Sequence, residues 1–141
     1  MPCFNEAGNL RELVDRLEAG FRARSLDAEI ILVNDGSRDN TGDVIRQLEA
    51  GHPAVRGVHH DMNRGIPAGW RSGLAMARGA YACLIDADLQ YQPEDVCRLY
   101  DEIRHSHADV VQGYRRSLRR LKDSRYILSK GLNLLLNLLF P

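Results

Sequence analysis

Residues 82–90 read Ala82-Cys83-Leu84-Ile85-Asp86-Ala87-Asp88-Leu89-Gln90. A run of small and apolar side chains that stops abruptly at two carboxylates predicts a buried strand over residues 80–86, whose carboxyl end projects acids into a cleft. In open α/β sheets that edge is where ligands sit. Two hard oxygen donors one residue apart suit Mg²⁺ or Mn²⁺, and such an ion shares its remaining positions with water and substrate phosphates. The stretch by itself points to a metal-assisted site for a phosphorylated ligand. An isolated Asp-x-Asp is also the composition of an ordinary solvated turn, so the rest of the chain has to decide.

Upstream, Ile30-Ile31-Leu32-Val33-Asn34-Asp35-Gly36-Ser37 is a second apolar run that ends in an acid and a glycine turn, and Pro2-Cys3-Phe4-Asn5-Glu6 stands at the start. Three strand ends would then each deliver an acid to one sheet edge. Leu10, Leu13, Val14, Leu17 and Phe21 recur at helical spacing and predict an amphipathic helix over about 8–23. A strand over 29–34 comes next, and Asp39-Asn40-Thr41 forms a capping cluster for a helix that buries Val44, Ile45 and Leu48. Val55 to His59 reads as a short strand. Pro67 lies near the start of a third helix, where its missing N–H costs nothing. Pro93 opens a further helix with Val96, Leu99, Tyr100 and Ile103 inward, and Val110-Val111 reads as another strand. Strands alternating with helices predict a parallel, doubly wound sheet.

A chain of 141 residues supports one domain with a real core. Its formal net charge of zero hides an asymmetry: residues 1–112 carry 12 basic and 18 acidic side chains, residues 113–141 carry 7 and 1. A basic segment attached to an acidic domain points to an anionic partner for the tail, and no nucleic-acid partner is expected. Cys3, Cys83 and Cys97 are odd in number and have no metal spacing, so a reduced, cytosolic compartment is expected. No signal peptide is visible at the polar, proline-containing start. His59-His60 and the pair His105 and His107 read as surface features, and no histidine or nucleophilic-serine constellation stands out.

The set Pro2-Cys3-Phe4-Asn5-Glu6, Val33-Asn34-Asp35-Gly36-Ser37, Asn63-Arg64-Gly65, Gly73 with Ala77-Arg78-Gly79, and Asp86-Ala87-Asp88-Leu89-Gln90 with Pro93-Glu94 resembles the family 2 glycosyltransferases of the GT-A fold. Order and spacing match over about residues 1–115, and the string from Asp86 to Gln90 looks most like the polyprenyl-phosphate sugar transferases. The resemblance implies a Rossmann-like GT-A nucleotide-sugar-binding domain, a mainly parallel sheet flanked by helices. It places Pro2, Phe4 and Glu6 along the nucleoside, Val33 and Asp35 at the base, and Asp86 and Ala87 on the nucleotide. Asp88 would bind the divalent cation and take part in catalysis, with Asp86 and Gln90 completing the metal site. Phe4 stands where tyrosine is commoner and still allows stacking. The blander readings are a helix-start acid for Glu6, a turn former for Asp35 and a polar loop residue for Gln90.

Arg115 follows Gly113-Tyr114, where the resembled family has Gly-Ser/Thr-Arg; Tyr114 departs from the small residue usual there. Arg125 and Ser129 lie four apart on an expected helix, hence on one face. By resemblance Arg115, Arg125 and Ser129 hold the donor and acceptor phosphates, which arginine forks match; the competing reading is a solvated basic run. The leucine-rich segment from Leu128 to Phe140 is too short to span a bilayer, which needs roughly 20 residues. A basic segment before a leucine-rich amphipathic helix fits an interfacial helix drawn to anionic lipid, or equally a helix packed on the domain or on a twin subunit of a homo-oligomer.

Residues 1–114 are therefore expected to be a partial GT-A domain and 115–141 a basic, leucine-rich tail. In the resembled family a central strand precedes the Pro-x-x-Asn-Glu turn, so the first strand is expected to be missing here, as is a later acceptor-side segment. The expected activity is inverting, metal-dependent transfer of a sugar from a UDP- or GDP-linked donor to a polyprenyl (dolichyl or undecaprenyl) phosphate at the cytoplasmic face of a membrane. A saccharide or glycolipid acceptor, or an inactive nucleotide-sugar-binding fragment, stays open. A phosphoacceptor receiver domain fits less well, because no suitably placed late lysine follows a strand.

Overall fold

The computed structural model describes residues 1–106 and 108–113. Met1–Val111 forms one compact unit.

The elements of this unit are β1 (Pro2–Cys3), α1 (Leu10–Ala23), β2 (Ile30–Asp35), α2 (Thr41–Gly51), β3 (Val55–His60), α3 (Ile66–Met76) and α4 (Asp95–His105). The strands form a parallel sheet in the order β1-β2-β3. The α/β architecture, with a parallel sheet flanked by helices, is the one expected. β2 shows why the sheet is covered on both faces. Alternate residues of a strand point to opposite sides. Ile30 and Leu32 join the core cluster with Leu10, Leu13, Val14 and Leu17 of α1 and Val44, Ile45 and Leu48 of α2. Ile31 and Val33 point the other way, where a Cβ added to Gly73 of α3 would lie 3.9 and 3.5 Å from them. One turn earlier on α3, a Cβ at Gly69 would come within 2.9 Å of Pro2. Two glycines four apart thus let α3 lie flat on β1 and β2. Arg56 of β3 donates to the carbonyl of Met76 at 2.7 Å and to Glu29 at 3.0 Å, satisfying the end of α3.

The capping cluster of α2 works through Asp39 rather than Asn40. The Asp39 carboxylate accepts the Thr41 amide at 3.0 Å and the Thr41 hydroxyl at 2.5 Å, while Asn40 makes no side-chain cap bond. α4 docks on α1 through Arg16, which reaches Glu94 at 2.7 Å and Gln92 at 2.6 Å, and through Arg24 to Asp101 at 3.1 Å.

Three expectations need correction. Residues 80–86 form no strand, and Tyr81, Cys83 and Leu84 are exposed. The run ends beside β1, with Asp86 and Ala87 on the same cleft as Pro2 and Cys3. β1 has only two residues, and they pair with β2. Val110-Val111 is likewise irregular, with Val110 80% exposed. In α4 it is Cys97 that is fully buried, against Gly20 of α1, whereas Val96, Leu99, Tyr100 and Ile103 are only half-buried.

Candidate active site

Three segments converge on a cleft of about 570 Å³ at the carboxyl ends of β1 and β2. The first turn brings Pro2, Phe4 and Glu6, the end of β2 brings Asp35, and the third segment brings Asp86, Ala87 and Asp88. Asn63, Gly65, Ile66 and Pro67, at the start of α3, complete the lining. The convergence of three acid-bearing segments, expected from the sequence, is thus observed even though the third is not a strand.

Each segment is held by its own local chemistry. Asn5 takes a left-handed φ of 59°, a conformation asparagine tolerates well. Its amide donates to Ser37 Oγ at 3.0 Å and its side-chain oxygen accepts the Arg38 amide at 2.9 Å, which ties the first turn to the second. Glu6 is fixed from both sides: Thr41 Oγ1 accepts its amide at 2.9 Å, and its carboxylate accepts Asn9 Nδ2 at 2.6 Å. Phe4 is 43% exposed, so its ring is available for stacking. Val33, expected at the base, is fully buried beneath α3 and does not line the cleft.

Asp35 is the most constrained of the acids. Its side chain is 4% exposed. Oδ1 accepts the Arg64 amide at 2.9 Å and lies 2.7 Å from His60 Nδ1; Oδ2 accepts the Gly65 amide at 2.8 Å. Burial opposes its ionisation, but the bonds from His60 and the two amides outweigh that, and its carboxyl sits below the ordinary 3.8. His60 corrects the sequence reading. Its side chain is 6% exposed rather than a surface feature, and Nε2 lies 2.9 Å from Ser72 Oγ. A hydrogen-bonded Asp–His–Ser series therefore exists that no sequence motif announced. The available signal was alternation: His60 is the register partner of Asp35, so it faces the same side of the sheet.

Asp86 is exposed at the cleft and, among the described residues, accepts no hydrogen bond. Asp88 Oδ1 accepts the Gln90 amide at 3.0 Å, a turn made possible by the left-handed φ of 57° at Leu89. Gln90 thus meets Asp88 through its backbone, and its side chain lies outside the cleft lining. No group of three or more His, Cys, Asp or Glu side chains able to hold a metal occurs among the described residues. The pair Asp86 and Asp88 nevertheless has the donor chemistry of an ion that keeps waters and completes its sphere with phosphate oxygens, as Mg²⁺ does. Arg115, Arg125 and Ser129, together with the rest of 115–141, lie outside the described residues. Among the described residues no helix is long and apolar enough to cross a membrane.

Comparison with known proteins agrees with this arrangement. The family model described as Glycosyl transferase family 2 matches residues 1–132. An undecaprenyl-phosphate 4-deoxy-4-formamido-L-arabinose transferase of Pseudomonas paraeruginosa is 36% identical over 120 residues, 84% of this chain and 35% of that protein. The protein of the same name from Pseudomonas fluorescens strain Pf-5 is 36% identical over 135 residues, 95% of this chain and 39% of its own length. A dolichol-phosphate mannosyltransferase of Mycosarcoma maydis is 37% identical over 100 residues, 68% of this chain and 34% of that protein. The chain thus spans between 34% and 39% of the length of these relatives. With a family match over nearly the whole sequence and three acid-bearing turns meeting in one cleft, the chain belongs to glycosyl transferase family 2.

Proposed function

We propose that the cleft binds a nucleoside diphosphate sugar, UDP- or GDP-linked, and that the protein transfers the sugar to a polyprenyl phosphate. The observation that carries this reading is the meeting of Phe4, Glu6, Asp35, Asp86 and Asp88 in one cleft. Phe4 offers a stacking face and Glu6 a carboxylate for ribose hydroxyls. A carboxylate has about four acceptor positions, and Asp35 uses three on His60, Arg64 and Gly65. The one left over matches a single ring N–H, which uracil and guanine both carry.

Family 2 enzymes generally depend on a divalent cation. Asp86 and Asp88 would hold it, with Gln90 orienting Asp88. When bound, the cation neutralises charge on the departing diphosphate. The chain's own residues bind and orient the donor. A phosphate acceptor is already ionised at neutral pH, so it can attack the anomeric carbon, with inversion, without a strong general base. Positioning and charge stabilisation then carry the catalysis. Arg115, Arg125 and Ser129 are assigned to the phosphates, and the basic tail to the cytoplasmic face of an anionic membrane. The names of the relatives support the lipid-phosphate acceptor.

Calorimetric titration of the chain with UDP and GDP, with Mg²⁺ and with EDTA, tests the donor site. Binding is expected only with the cation, and Asp88→Asn is expected to lose most of the cation-dependent part. Equal binding in EDTA would sink the metal assignment. Incubation with a nucleotide sugar and vesicles containing undecaprenyl phosphate tests the acceptor; transfer to free saccharides instead would move it away from lipid.

A further inference from the structure

Of the series Asp35–His60–Ser72, only Asp35 has a role above; His60 and Ser72 have none. Its members come from β2, β3 and α3. An ionised carboxylate only accepts hydrogen bonds, so His60 Nδ1 carries a proton and donates to Asp35 Oδ1 at 2.7 Å. Nε2, 2.9 Å from Ser72 Oγ, is satisfied with or without a proton, because a hydroxyl both donates and accepts. The order of groups is that of a hydrolase triad. Ser72, however, does not line the cleft, so its hydroxyl is not offered to a ligand there. The other end of the series does reach the cleft. Asp35 also accepts the amides of Arg64 and Gly65, and Asn63 and Gly65 both line the cleft where α3 begins.

We propose that His60 is a positioning residue of the donor site: braced on α3 by Ser72, it orients Asp35, and Asp35 holds the turn from Asn63 to Gly65 against a bound nucleoside diphosphate. The inference rests on the reading of the cleft as a nucleotide site. It makes His60 the residue that decides where the last acceptor position of Asp35 points. Asp35 cannot be oriented by the two amides alone, because they belong to the turn it is meant to fix. β2 and α3 are locked independently, through Gly73 on Val33, so a brace between them gives the carboxylate a rigid reference.

Two isosteres separate the bonds of His60. His60→Asn keeps an amide N–H where Nδ1 stands and gives up Ser72; His60→Gln keeps one where Nε2 stands and gives up Asp35. Each variant, with Ser72→Ala, is titrated with UDP and GDP in Mg²⁺ while amide exchange at Arg64 and Gly65 and the melting temperature are followed. His60→Gln is expected to bind about tenfold more weakly, the scale of one hydrogen bond to a charged group, and to exchange faster at Arg64 and Gly65. His60→Asn and Ser72→Ala, which give up the brace and keep the bond to Asp35, are expected to fall between the unsubstituted chain and His60→Gln in both binding and protection. Wild-type affinity in His60→Gln, or equal losses in the Asn and Gln variants that track their melting temperatures, would overturn the proposal. If the unsubstituted chain binds neither nucleotide, the nucleotide reading fails by itself. The exchange comparison then still decides whether His60 holds the turn: faster exchange in the Gln than in the Asn variant upholds it, and equal exchange overturns it.

Discussion

At Gly36 the absence of a side chain decides whether the end of β2 can meet the turn before α3. Its φ is +68°, and an added Cβ would fall 2.2 Å from the Met62 carbonyl carbon and 2.4 Å from the Asn63 nitrogen. Both clashes are with backbone, so no rotamer can relieve them. Gly36→Ala is therefore expected to destabilise the fold by about 2 kcal/mol or more, the left-handed conformation and the forced separation adding together. Gly8→Ala is the control: nothing lies within 4 Å of its Cβ position, and its cost should stay within about 0.5 kcal/mol. Urea unfolding of the two variants checks this, and similar midpoints would contradict it. Single residues were partly legible in the sequence. Asp35-Gly36 stands out as an acid followed by a turn former, but nothing in the string His59-His60 tells which histidine is buried. That distinction belongs to strand phase, which a two-residue motif does not carry.

Between elements, the docking of α4 on α1 depends on the Arg16 fork. Arg16 Nε and Nη2 reach the two oxygens of Glu94 at 2.8 and 2.7 Å. That bond first, with the Glu94 amide second, holds the Glu94 carboxyl down at about 2, against an ordinary 4.5. A depressed folded value means that the pair supports docking above pH 4.5 and loses that support as pH falls through about 2. An NMR titration of the Glu94 side chain is expected to show this low midpoint and, in Arg16→Ala, a return toward 4.5. An unchanged midpoint would remove Arg16 as the cause. The helices themselves were readable because amphipathic spacing reports a buried face that each helix carries alone. The run over 80–86 misled for the opposite reason. An apolar run measures what a strand would bury, and says nothing of whether a neighbour offers the backbone groups to pair with it.

Across the whole molecule, the site was more legible than the sheet, since acids at turns keep their place at the cleft whether or not the segment before them pairs. The Asp86–Asp88 turn reaches the cleft beside β1 although residues 80–86 stay irregular. The two halves of the cleft differ in how much chain must be gathered to build them. β2, β3 and α3 lie close together in the chain, with α2 between the two strands, and they build the Asp35 half from bonds whose partners lie 12 to 30 residues apart. The Asp86–Asp88 half precedes α4, whose anchors on α1 span 76 to 78 residues. Closing the longer loop costs more entropy before any contact is made, and here it is rewarded by partly exposed ion pairs and by Cys97 as the one fully buried side chain of α4. The cleft is therefore expected to assemble in two stages, with the nucleoside side forming ahead of the diphosphate side. Native-state hydrogen exchange should find the amides of α4 opening at lower free energy than those of β2 and β3. A single shared opening energy would mean that both halves rise and fall together, and that a nascent chain has no nucleoside pocket until its acids arrive.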